Sequence, residues 1–149
     1  MNTQHFSLGS SLFERDVPMA RVVSFFEEPP VTQRPLAARL ALVGTYTPRK
    51  CGIATFTADV AEKLAAHHPE IDTAIYALDH AGSKLAYSDI AAVIDCDNAE
   101  SYRLAARRIN ESAVDAVWLQ HEFGIFGGRD GELVCEFADR LAAPLIVTF

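Results

Sequence analysis

Cysteine is scarce in this sequence and its count is odd: Cys51, Cys96 and Cys135 are three residues far apart. That excludes a disulfide scaffold and points to a reducing, cytoplasmic setting. No uninterrupted apolar run approaches the roughly 20 residues of a spanning helix, so no transmembrane segment is expected. Positive charge is short as well, with 13 Lys and Arg against 20 Asp and Glu and a formal net charge of −7. Such a surface is unsuited to phosphate backbones or anionic lipid, and no nucleic-acid partner is expected. The amino terminus, MNTQHFSLGSSLFERDVP, has no basic n-region, and Glu14, Arg15 and Asp16 interrupt it, so no signal peptide is expected. Zinc-type spacing is missing too. His67 and His68 are adjacent, His80 is isolated, and no pair shows an i, i+4 or C-x-x-C pattern, so no metal and no cofactor are expected.

What is present is a chain of 149 residues, half of them hydrophobic, enough for one core. Residues 1–38 hold four of the seven prolines and no sustained period, and read as an irregular N-terminal extension. Its Phe6, Phe13, Phe25 and Phe26 are available to pack on a neighbour. Residues 39–149 alternate between two patterns. Short aliphatic and β-branched runs at Leu40–Val43, Thr73–Leu78, Ala91–Ile94, Ala116–Leu119 and Leu145–Phe149 predict strands, several apolar at nearly every position. Strands buried on both faces belong in a parallel sheet covered by helices.

Between them, Ile53, Phe56, Val60 and Leu64 predict one apolar stripe on a helix over 52–67, stopped by Pro69. Asp97 with Glu100 reads as the cap of a second helix, Ala99–Ser112. Asp130 reads as the cap of a third, striped by Leu133, Phe137 and Leu141. The order β-α-β-β-α-β-α-β predicts an α/β fold: a doubly wound, mainly parallel Rossmann-like sheet with helices on both faces. The second and third strands lack room for a helix between them and require an irregular crossover.

Two loops carry candidate chemistry. The first, Gly44 to Gly52, follows the first strand and opens the first helix, where free amides and the helix dipole favour an anion. Gly52 lets a ligand approach the backbone, and Arg49 and Lys50 add positive charge; the same features also describe a tight turn with two solvated basic residues. The loop has neither the G-x-G-x-x-G nor the G-x-x-x-x-G-K-[ST] pattern. Gly44-Thr45 also lacks the acidic residues with which a phosphate-receiver domain holds magnesium. The second loop, His121 to Gly131, carries four of the eight glycines. Its His121 and Glu122 are suited to sugar hydroxyls and its Phe123 and Phe126 to an apolar wall, or else to capping a strand and plugging the sheet edge. Cys51, with His121 as base, is also a candidate nucleophile, against the plainer reading of a half-buried thiol.

These loops resemble the amino-terminal domain of family-four retaining glycosyltransferases, the group-one transferases of GT-B architecture. The matching segments are Thr45-Tyr46-Thr47-Pro48-Arg49-Lys50-Cys51-Gly52-Ile53-Ala54-Thr55-Phe56-Thr57 and Val117-Trp118-Leu119-Gln120-His121-Glu122-Phe123-Gly124-Ile125-Phe126-Gly127-Gly128. The resemblance covers Leu40 to Phe149. It implies transfer of a sugar from a nucleotide-sugar donor, a substrate rather than a cofactor, to an acceptor bound by this domain. Cys51, Gly52 and Ile53 would face the donor diphosphate, with Cys51 where the family has the first glycine of a pair. His121 would sit by the transferred sugar as the catalytic residue. Arg49, Lys50, Glu122, Phe123, Gly124, Phe126, Gly127 and Gly128 would border the acceptor. A missing C-terminal domain would hold most of the donor, so the isolated chain is expected to be a truncated, inactive portion. The alternatives are a stand-alone, non-catalytic module binding phosphate or sugar, and a Cys51-dependent hydrolase.

Overall fold

The computed structural model describes residues 38–149; residues 1–37 of the expected extension, with its four phenylalanines, lie outside the described residues, and Ala38 opens the first strand. Five strands alternate with helices: β1 (Ala38–Gly44), α1 (Gly52–His67), β2 (Ile71–Asp79), β3 (Ala92–Asp95), α2 (Ala99–Glu111), β4 (Ala116–Gln120), α3 (Leu133–Ala138) and β5 (Leu145–Thr148). Two short 3-10 turns, Phe123–Ile125 and Arg129–Gly131, lie between β4 and α3. The strands form one sheet in the order β3-β2-β1-β4-β5, and every pairing is parallel. The fold is therefore the doubly wound, Rossmann-like α/β arrangement that the alternation of runs predicts. Residues 80–91, between the parallel strands β2 and β3, contain no helix, which makes that connection the expected irregular crossover.

Parallel registry sorts the side chains into two faces. Ala41, Val43, Tyr76, Leu78, Ile94, Val117 and Leu119 face α2 and α3 and belong to one buried cluster. On α2 the cluster takes Tyr102, Ala105, Ala106 and Ile109, spaced so that they share one side of the helix. Burying a side chain such as Ile109 fully is worth about 1.5–3 kcal/mol. Asn98 caps α2, its side chain accepting from the Glu100 amide at 3.0 Å. The cap thus sits one residue later than the expected Asp97. The Glu100 side chain takes no part in a capping box and instead pairs with Arg103.

On the opposite face the helix departs from expectation. The residues of α1 that are buried are Ala54 and Thr57, while Phe56 of the expected stripe is 44% exposed. Small side chains let the helix backbone approach Leu42, Ile75 and Ala77, so the larger apolar residues are displaced to the flank. There Phe56, Val60 and Leu64 face Trp118 across an open groove of about 580 Å³. Among the described residues one helix lies on this face, and it does not cover five strands. Val93 and Ile146, on this face near the two sheet edges, are 47% and 50% exposed, so the outer strands are not buried on both sides as their composition suggests.

The third helix is also shorter than its stripe. Asp130 does not cap it; that residue lies in the left-handed region (φ 55°) inside a 3-10 turn, and α3 begins three residues later. Phe137 is fully buried, and Leu141, beyond the helix end, still packs against the core.

Candidate functional site

Because all five strands run the same way, their carboxyl ends form one rim. β1 and β4 are neighbours in the sheet, yet the chain leaves them for helices on opposite faces. This is the switch point where doubly wound sheets open a crevice. Both candidate loops start there: Val43 is in register with Leu119, and a Cβ on Gly44 would lie only 3.1 Å from the Gln120 Cβ.

The first loop is organised around Cys51. Its Sγ lies 3.2 Å from the hydroxyl of fully buried Thr45 and accepts from the Ala54 amide at 3.4 Å, and its carbonyl accepts from the Thr55 amide at 3.2 Å. Cys51 is thus the N-cap of α1, and none of its hydrogen bonds reaches His121. The capping leaves the first-turn amides of Gly52 and Ile53 at the helix end, where the dipole is positive. A Cβ built on Gly52 would meet nothing within 4 Å, so the space beside Gly52 is open. The two basic residues differ. Lys50 is exposed, whereas the Arg49 guanidinium lies 3.2 Å from the carboxylate of Asp79 at the end of β2.

The second loop begins by extending the β4–β5 ladder, the His121 amide donating to the Thr148 carbonyl at 2.8 Å. The His121 ring is half-buried among aromatic rings: Phe123 at 4.9 Å, Phe126 at 5.2 Å and Phe149 at 4.9 Å between centroids. Phe126 is part of the core, while Phe123 is 77% exposed and forms an outward apolar surface. Glu122 and Gly124 are exposed. Three of the loop's glycines have structural reasons, Gly131 through its φ of +80°. A Cβ on Gly127 would fall 2.0 Å from the Cys96 carbonyl oxygen, and Gly128 takes φ +84°. Gly127 therefore seals this loop against the turn after β3.

Sequence reasoning missed two features. Gln120, last in β4, is 1% exposed, and its Nε2 has no hydrogen-bond partner among the described residues. The second feature is a polar cluster beyond β2 and β3. Buried Asp79 accepts from Arg49, from the His80 amide at 2.9 Å and from the Tyr87 hydroxyl at 2.9 Å. Burial alone would raise its pKa. The Ser83 and Tyr87 hydroxyls, the His80 amide and the Arg49 charge outweigh it and hold the carboxyl below its usual value. Burial, with donation to Asp79, pushes Tyr87 up to about 12. Nearby, His80, isolated in sequence, lies 3.1 Å from Cys96 Sγ and 2.7 Å from the Asp97 carboxylate. Burial, then the charges of Asp97 and Asp95, push the Cys96 thiol up to about 11. The signal available in sequence was modest: Asp79 and Gln120 are each a polar residue closing an otherwise largely apolar strand.

No described helix is long and apolar enough to cross a membrane. The three cysteines are free thiols. No protein-family model matches the chain, and a search of curated proteins finds no match.

Proposed function

We propose that this domain is the acceptor-side portion of a glycosyltransferase that moves a sugar from a nucleotide-sugar donor to an acceptor. The observation that carries the reading is the meeting, at the β1/β4 switch point, of an open helix amino end at Gly52 and a loop led by His121. A diphosphate suits the amides of Gly52 and Ile53, because aligned peptide dipoles stabilise negative charge without a counter-ion. His121, with its ring against Phe123 and Phe149, serves the sugar end: an apolar wall suits a pyranose face, and the imidazole supplies a hydrogen bond to a hydroxyl. Lys50, Glu122 and Gly124 border the acceptor.

In this reading a second domain supplies most of the donor contacts and the charge that offsets the leaving diphosphate. The chain alone offers one wall of the cleft, so it binds nucleotide sugars with a Kd on the order of millimolar or weaker, about −4 kcal/mol. Titration calorimetry of residues 1–149 with several nucleotide sugars, paired with a product assay, tests this. Micromolar affinity or turnover by the chain alone overturns the two-domain reading. When a carboxy-terminal domain is supplied in the same chain, His121→Ala lowers kcat more than it weakens donor binding.

The pairing of Arg49 with Asp79 favours a second reading, a non-catalytic binding module, since it takes one of the two loop cations away from a ligand. That reading fails if the completed two-domain chain transfers sugar.

A further inference from the structure

The cluster formed by His80, Cys96 and Asp97 lies outside the β1/β4 crevice. The ligand-type atoms of these three side chains all lie within 4.8 Å of one another. Two chemistries use such a trio, a nucleophilic relay and a metal site. A relay needs the thiol on one ring nitrogen and the carboxylate on the other. Here both partners approach the same atom, His80 Nδ1, with Cys96 Sγ at 3.1 Å and Asp97 Oδ2 at 2.7 Å. Cys96 is also only 2% exposed, so its sulfur cannot reach a substrate carbon.

A single nitrogen cannot hold both neighbours strongly, but a cation placed between the three atoms can. We propose that His80, Cys96 and Asp97 form a binding site for a zinc-type divalent transition metal. A tetrahedral zinc holds sulfur, nitrogen and oxygen ligands about 3.3–3.6 Å apart, given bonds of about 2.0–2.3 Å. The trio reaches that spacing when the two contacts to His80, now 3.1 and 2.7 Å, open by roughly half an ångström and the Cys96–Asp97 pair, now within 4.8 Å, closes. The His80 and Asp97 side chains are free to do so, being 55% and 63% exposed. The third ligand is fixed. The Cys96 amide donates to the Asp79 carbonyl at 2.9 Å, its carbonyl accepts from the Tyr102 hydroxyl at 3.2 Å, and Gly127 packs against that carbonyl. One rigid, buried ligand with two mobile, exposed ones suits capture of an ion from solvent.

Donor chemistry selects the ion. Thiolate and imidazole favour zinc or cobalt over magnesium or calcium, which prefer oxygen. On binding, the metal–sulfur bond replaces the S–H bond of Cys96 and the proton leaves to solvent, while His80 coordinates as neutral imidazole and Asp97 as carboxylate. Three protein ligands leave a fourth position for water or an anionic oxygen, beside the Gly127 loop. This site does not depend on the sugar-transfer reading.

Cobalt is the probe. The full chain, stripped with a chelator and titrated with Co²⁺, is expected to develop a thiolate-to-cobalt charge-transfer band and tetrahedral visible bands at one equivalent, both erased by Zn²⁺. Cys96→Ser removes the charge-transfer band, His80→Ala lowers affinity at least tenfold, and Cys135→Ser changes neither. His80→Ala alters an exposed side chain, so far-ultraviolet circular dichroism of that variant is expected to match the parent and to keep the test valid if Cys96→Ser fails to fold. Absence of the band, its persistence in Cys96→Ser, or unchanged affinity in His80→Ala overturns the site and leaves an inert hydrogen-bonded cluster.

Discussion

The two halves of the strand-end rim treat their polar groups differently. Beyond β2 and β3 the side chains bond to one another: Asp79 alone gathers Arg49, Tyr87 and the His80 amide. Beyond β1 and β4 the polar groups are left with spare capacity. Gly52 at the start of α1 borders open space, Gln120 Nε2 has no partner among the described residues, and the His121 ring is packed by aromatic rings. The first half is a structural anchor that fixes Arg49, and through it the loop leading to α1. On the reading proposed above, the second half is the side that faces the ligand.

Breaking the anchored half carries the largest expected effect. Asp79→Ala orphans the Tyr87 hydroxyl and the His80 amide and unpairs Arg49. It is expected to cost about 3 kcal/mol, checked by urea unfolding. If Asp79 is instead peripheral, the midpoint will not move.

Next is the seam between the halves. Gly127→Ala places a methyl 2.0 Å from a backbone oxygen that cannot swing away, because Tyr102 holds it. The expected loss is about 2–3 kcal/mol in the same assay, with nuclear magnetic resonance shifts spreading to both the 121–131 loop and the turn after β3. Shifts confined to one side would show that the halves are not joined there.

The anchor also sets a pH signature. The folded pKa of Asp79 lies below its unfolded value, so its contribution is complete above the ordinary carboxylate pKa of about 3.9 and is lost as pH falls through the folded value. Stability is therefore expected to fall with acidification below about pH 4–5 less steeply in Asp79→Asn than in the parent, as measured by thermal unfolding across that range.

The smallest effect belongs to the open half. Cys51→Ala removes the side-chain cap of α1 and is expected to cost about 0.5–1 kcal/mol. Cys51→Ser, which keeps an acceptor, is expected to restore most of it. A larger loss, with no rescue by serine, would show that the thiol is engaged in more than capping.

Much of the fold was legible because its determinants are local. The near-continuous apolar runs of β1, β2 and β4 and the capping residues ahead of α2 each specify an element from within a short window, and their alternation leaves few topologies. Both crevice loops were legible for the same reason, as each adjoins a strand end and a helix start. The errors came where one window offered two equivalent solutions. Asn98 and Asp97 are equally good caps by composition, and the turn is fixed by bonds to Asp95: its carbonyl accepts from the Asn98 amide, its carboxylate accepts from the Asp97 amide, and its amide donates to the Ser101 hydroxyl. On α1, both a large-residue and a small-residue face recur at helical spacing, and hydrophobicity alone prefers the wrong one.

The sequence by itself thus determined the elements, their order, the parallel sheet and the loops that flank the switch point, since periodicity and chain connectivity express them directly. Tertiary structure alone decided the pairings across long separations. Arg49 meets Asp79 thirty residues away, and His80 meets Cys96 sixteen away, because parallel registry brings the ends of β1, β2 and β3 to one rim. It also decided that Ala54 and Thr57, rather than Phe56, lie against the sheet, since close packing rewards the helix that approaches nearest. Neither outcome has a local signature, because each depends on distances set only when the strands align.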